Sequence, residues 1–190
     1  KKMKILLSCL IIFALTFKVL VKFLPIPNYI VDTVDLQPIE GDVETLVDTT
    51  NLKLVRRDNA INGTLTMVED MDDEIFKMSV EALWSSSGNR NFRKVGIDVA
   101  KTGSCEAFKI HFRQILQPSL IAGENTDLPV IPEEGLCPFP KGTYYLKEVL
   151  LNPEKWPSQL PFGVVKAVIK FYKNDVLIGG LNLFVRIQSR

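Results

Sequence analysis

The sequence predicts a mainly β domain, a sandwich or open cup of about seven or eight antiparallel strands with one short helix. Three observations carry that expectation. Apolar and polar residues alternate with a period of two over several stretches of the chain. Short turn signals separate these stretches at hairpin spacing. Only one segment, near the middle of the chain, shows helical spacing instead.

Taken in order, Tyr29 to Leu36 and Leu52 to Arg57 read as weaker strands. Ile61 to Val68 is a clearer one, with Ile61, Gly63, Leu65 and Met67 on one face and Asn62, Thr64 and Thr66 on the other. The acidic run Glu69 to Glu74 then reads as a solvated hairpin turn, because it lacks the alternating ligands, mid-loop glycine and closing glutamate of an EF-hand. Phe76, Met78, Val80, Ala82 and Trp84 alternate with Lys77, Ser79, Glu81 and Leu83. After the turn Ser86-Ser87-Gly88-Asn89, the stretch Phe92 to Val99 alternates again and predicts a hairpin.

Ser104 is placed to cap a helix from Cys105 to about Leu116, with Phe108, Phe112, Ile115 and Leu116 on one stripe and Pro118 as its stop. From Pro118 to Gly142 the chain carries five of its 11 prolines, a long loop of the kind that is functional or mobile. Tyr144 to Leu150 is a further weak strand. Val165, Ala167, Ile169 and Phe171 face one way in the next, an Asn174-Asp175 turn follows, and Leu181, Leu183, Val185 and Ile187 face one way in the last. Gly179-Gly180 marks a bulge at its start.

The chain has 190 residues, 46% hydrophobic and 24% charged, enough to bury a core in a single domain. A net charge of +1 excludes the strongly basic field that nucleic-acid binding needs. Lys1, Lys2 and Lys4 precede an apolar run from Ile5 to Phe17 that Lys18 and Lys22 end. The run fits a secretory h-region and is too short for a membrane span, so residues 1–17 are expected to be a signal peptide cut near Thr16/Phe17, and 18–190 the domain. An uncleaved signal anchor is the alternative.

Without the leader, 20 basic residues face 22 acids, and Cys105 and Cys137 are the remaining cysteines. In an oxidising compartment such a pair predicts one disulfide, with two buried free thiols as the alternative. The sequon Asn62-Gly63-Thr64 fits the same route, since the strand period turns Asn62 outward where a glycan is tolerated.

Catalysis finds no anchor. His111 has no carboxylate, histidine or cysteine three or four residues away, so a hydrolase built on it is the weakest reading. Ser85-Ser86-Ser87-Gly88 lacks the frame of a nucleophile elbow, and there is no glycine-rich phosphate loop. No cofactor or metal is expected.

The C-terminal half carries a resemblance. Leu136-Cys137-Pro138-Phe139-Pro140-Lys141-Gly142-Thr143-Tyr144-Tyr145, and Leu160-Pro161-Phe162-Gly163 ahead of a strand ending Phe171-Tyr172-Lys173-Asn174, resemble a family of small secreted insect proteins that includes the chemosensory-protein-B group. That family is similar to the ML lipid-recognition domains, whose best-known relative is the ganglioside activator. Cys105 matches the family's earlier cysteine. The resemblance covers Cys105 to Arg190 well and the N-terminal half in outline. It departs from the ganglioside activator in disulfides, several there against one here.

The resemblance implies an immunoglobulin-like β-cup, with sheets splayed around an apolar cavity, over 18–190. The expected function is a secreted, non-enzymatic carrier of a lipid, sterol or pheromone-like hydrocarbon in chemical sensing, monomeric, with a membrane receptor or channel as partner. The alternative is a filled sandwich serving as an extracellular protein-binding or accessory subunit. Strand and helix orientation nominate Phe76, Met78, Val80, Trp84, Phe108 and Phe112 as cavity-facing. The last two strands add Ile169, Phe171, Leu183 and Val185.

Overall fold

The computed structural model describes residues 27–89 and 91–190; the expected leader, 1–17, lies outside them. Ten strands form, as the alternation requires: β1 Tyr29–Ile39, β2 Val47–Asp48, β3 Lys53–Val55, β4 Ala60–Met67, β5 Phe76–Ser85, β6 Arg93–Lys94, β7 Val99–Gly103, β8 Gly142–Val149, β9 Gly163–Lys173 and β10 Val176–Ser189. The excess over seven or eight comes from two-residue pieces, β2 and β6, too short to show a period.

The strands fall into two antiparallel blocks. The larger runs β1-β10-β9-β5, with β6 and β7 both on the free edge of β5; the smaller has β4 between β8 and the β2/β3 pieces. One parallel pairing, Val47 to Gly179, joins them, so the expectation of purely antiparallel pairing is corrected at that point. Gly179 permits it. Its φ is 128° and an added Cβ would collide with the Val47 carbonyl oxygen, a conformation and an approach that only glycine tolerates. The ladder slips between Leu177 and Gly179, which is the expected bulge.

Inner faces of both blocks meet in two apolar clusters. The first centres on Phe76, Met78, Phe108, Phe139 and Phe171; the second holds Leu52, Ile61 and Val149 against Leu183 and Val185. Phe108 is the hub of the first, with ring centroids 4.7 Å from Phe139, 5.6 Å from Phe112 and 6.1 Å from Phe171.

Four local expectations are corrected. Phe92 to Val99 is two short pieces, because Gly96 turns with φ 79° and the chain re-pairs with β5 at Val99. The acidic run does not close a hairpin, since β4 and β5 lie in different blocks and it crosses between them. Its Met71 is buried and exchanges two backbone hydrogen bonds with Phe139, of 2.8 and 2.7 Å.

The helical segment comprises α-helical Ser104–Ala107, a π-helical turn Phe108–Phe112 and α-helical Arg113–Ile115, and Pro118 falls inside a following 3-10 turn. Its N-cap position is Gly103, and Ser104 instead has its hydroxyl buried without a partner among the described residues. The capping acceptor comes from the acidic run, where Asp73 Oδ1 accepts from the amides of Cys105 at 2.7 Å and Glu106 at 3.4 Å. Asp73→Ala is expected to cost about 1 kcal/mol in urea unfolding, and Asp73→Asn less, as for any N-terminal cap.

Fourth, the proline-rich loop is packed rather than free. Leu128, Ile131 and Phe139 are buried in the first cluster, and Thr126 donates to the Tyr145 carbonyl on the edge of β8. Cys105 and Cys137 form the disulfide, with a Cα–Cα distance of 5.4 Å, tying the loop to the helix start. Among the described residues no helix is long and apolar enough to cross a membrane.

Candidate functional site

Register across the larger block defines the interior surface. Met78, Phe171 and Gly179 form one inward row, Val80, Ile169 and Leu181 the next, then Ala82, Ala167 and Leu183, then Trp84, Val165 and Val185. The first row belongs to the first cluster and is closed. Leu183 and Val185 are closed in the second.

Between the clusters the interior behaves differently. Val80, Ile169 and Leu181 occupy mid-sheet positions on the inner face and yet stay half-buried. In a filled sandwich such positions interdigitate with the facing sheet and lose all contact with solvent. Across from them Leu65 on β4, Leu146 on β8, Leu120 and Phe112 are also half-buried, and Leu120 and Leu146 touch both clusters. The adjoining row supplies Ala82 and Ala167 side by side, two methyl groups where branched side chains would fill the gap. Val80, Ile169, Leu65 and Phe112 pack against the first cluster, Ala167 and Leu181 against the second, and Leu120 and Leu146 against both.

The ten nominated residues therefore separate. Val80, Phe112 and Ile169 are half-buried and pack against the first cluster. Phe76, Met78, Phe108, Phe171, Leu183 and Val185 are buried in the two clusters themselves. Trp84 belongs to neither cluster; it is half-buried, and its Nε1 donates to the Phe162 carbonyl at 3.0 Å. Leu65, Leu146, Ala167 and Leu181 were not among the nominees, although strand alternation puts each on an inner face. Aromatics close the first end, through Phe76, Phe108, Phe139 and Phe171, whereas the second is closed by aliphatic side chains. Leu120 carries no periodic signal, as it follows Pro118 outside any regular element.

Among the polar groups near this surface, Thr33 Oγ1, beside Val185, is buried with no hydrogen-bond partner among the described residues, while the Tyr144 and Trp156 donors are occupied. The Tyr144 hydroxyl donates to the Pro140 carbonyl at 2.7 Å, and burial, followed by the charges of Asp127 and Asp70, raises its pKa above the usual phenol value. The Trp156 Nε1 donates to the Ile115 carbonyl at 2.8 Å, pinning the β8–β9 loop to the helix end. His111 is half-buried, with no hydrogen bond or ion pair to another described residue.

The remaining nominated features are structural in their contacts. Carboxylates of the acidic run point to different segments: Asp70 to the Lys141 amide, Asp72 to the amides of Glu74 and Ile75, Asp73 to the helix start, and Glu69 to Lys173 at 2.7 Å. They do not converge on one point. A separate surface groove of about 520 Å³ runs beside the disulfide, between Asp73, Glu106 and Lys109 on one side and Glu134 and Leu136 on the other. Its charged walls do not suit an apolar ligand.

Asn62 lies on the outer face of β4, as its strand period requires. It is half-buried, and its Oδ1 accepts from the Glu148 amide at 2.6 Å. No protein-family profile matches the chain, and no curated protein matches it.

Proposed function

We propose that this chain is a secreted, non-enzymatic binding protein that holds an apolar small molecule, a fatty acyl chain, sterol or hydrocarbon, between its two blocks of strands. One observation carries the reading: the inward row Val80, Ile169 and Leu181 is apolar, central and half-buried at once. Such a surface is costly in water, at about 25 cal/mol per Å² of apolar area, and an apolar ligand covers it. The resemblance to chemosensory-protein-B and ML domains supports the same ligand class. Secretion is supported by the disulfide and by the apolar N-terminal run, and a glycan at Asn62 would mark passage through that route.

Mass spectrometry of protein purified natively from the medium of insect cells, before and after organic extraction, tests the proposal. A stoichiometric co-purified lipid is the expected result. Protein that carries none and also refuses fluorescent fatty-acid and sterol probes would overturn the reading. A variant locates the site: on the carrier reading, Ala167→Phe is expected to reduce probe uptake about tenfold with little change in stability. A filled core would instead respond with an overpacking loss of about 1–3 kcal/mol and unchanged uptake.

A further inference from the structure

One buried hydroxyl stands where an aliphatic side chain would serve the fold better. Thr33 is 1% exposed, and its Oγ1 has no hydrogen-bond partner among the described residues. It pairs directly with Val185 across β1 and β10, and residues opposite each other in a ladder point to the same face. That face is the second cluster, where Leu183, Val185, Leu52, Ile61 and Val149 are all aliphatic. A hydroxyl in such surroundings loses its hydrogen bonds to water and gains none in return, whereas valine has nearly the same shape and no such cost.

The strand is irregular at this point. The ladder slips between Thr33 and Asp35, so Val34 is an extra residue and Leu36, not Asp35, follows Thr33 inward, opposite Leu183. The bulge thus keeps a carboxylate out of the cluster. The inward row that begins at Thr33 runs through Val185 and Val165 to Trp84, and the last two are half-buried. Ser104, whose hydroxyl also has no partner among the described residues, stands instead at the helix start, in the segment whose Ala107 belongs to the first cluster.

We infer that Thr33 Oγ1 receives the polar end of the bound molecule, and that this end is one neutral oxygen function, an alcohol or a carbonyl. The hydroxyl accepts from an O–H or donates to a C=O. It does not offset the desolvation of an ionised carboxylate, and Arg186, the next residue along β10, alternates to the outer face opposite Asp32. The hydroxyl is enclosed, so the molecule reaches it by displacing half-buried side chains packed on the cluster, Val31, Leu36 and Trp156. The inference rests on the carrier reading and narrows its ligand, from any hydrocarbon or fatty acid to one with a neutral hydrogen-bonding end.

Displacement of the neutral fluorescent probe phenylnaphthylamine from the full secreted protein tests it, with dodecanol, dodecane and dodecanoate as competitors. Thr33→Val is expected to weaken dodecanol by about fivefold, the worth of one hydrogen bond, and to leave dodecane unchanged. Thr33→Ser keeps the hydroxyl and is expected to hold dodecanol like the parent. Dodecanoate is expected to compete less well than dodecanol against the parent. Thermal unfolding certifies the fold of both variants. An equal change for dodecanol and dodecane in Thr33→Val, or no change for either, would overturn the inference; the second is the result if a buried water satisfies the hydroxyl. Dodecanoate competing as well as dodecanol would overturn it too. Protein that binds neither the probe nor any competitor fails the carrier reading itself, so the two failures are distinguishable.

Discussion

Phe139→Ala is expected to lose about 3–5 kcal/mol, the range for removing a buried aromatic and leaving a cavity. Phe139 is 1% exposed, lies 4.7 Å from the Phe108 centroid and 6.0 Å from that of Tyr144, and hydrogen-bonds Met71 through both its backbone groups. For a domain of this size the melting temperature should fall by about 10 °C or more. Val130→Ala in the same loop, at 58% exposure, should change little. A fall of under about 1 kcal/mol for Phe139→Ala would mean that the loop is a mobile lid after all, with its aromatic contacts made only part of the time. Thermal and urea unfolding of the two variants decides between wall and lid.

Loss of the disulfide is the second large effect. Cys105–Cys137 closes a sequence separation of 32 residues. By loop entropy that restricts the unfolded chain by about 3–4 kcal/mol. Cys137→Ser, at the exposed end of the bond, removes the constraint with least disturbance of packing, since Cys105 is the buried partner. The urea midpoint is expected to drop accordingly. Reduction of the parent protein should reproduce that drop. If reduction leaves the midpoint unchanged, the Met71–Phe139 pairing alone fixes the loop, and the cross-link contributes nothing measurable to stability.

These variants separate the scaffold from the proposed binding surface, and their effects on probe uptake should differ from those at Ala167. Phe139 and the disulfide hold the closed end, so their loss lowers stability first. Ala167→Phe acts on the inner face of β9 and, on the carrier reading, should alter uptake at nearly constant stability. A carrier and a filled sandwich give opposite orderings of these two readouts.

Period-two alternation was enough to place β1, β3, β4, β5, β8, β9 and β10 and to assign the inner faces of β4, β5, β9 and β10, because a strand with one buried face writes its partner surface into every second residue. Cysteine counting paired Cys105 with Cys137, and the Asn174-Asp175 turn was legible because two residues with positive φ, 49° and 64°, suit that dipeptide. The helix was legible from its stripe. Its cap was not, because the acceptor, Asp73, lies 32 positions before Cys105 in the chain.

Tertiary structure alone decided the rest. Alternation states which face is buried and is silent on the distance to the facing sheet, so it cannot distinguish a core residue such as Phe76 from a bordering one such as Ile169. That distance is set by which large side chains meet: Phe108, Phe139 and Phe171 converge at one end, while Ala82 and Ala167 meet in the row adjoining Val80 and Ile169. The same holds for the proline-rich loop and the acidic run, whose composition reads as solvent-facing. Met71 and Phe139 draw both into the core, because a chain pinned by backbone pairing and a cross-link buries its large apolar residues regardless of the polarity of their neighbours.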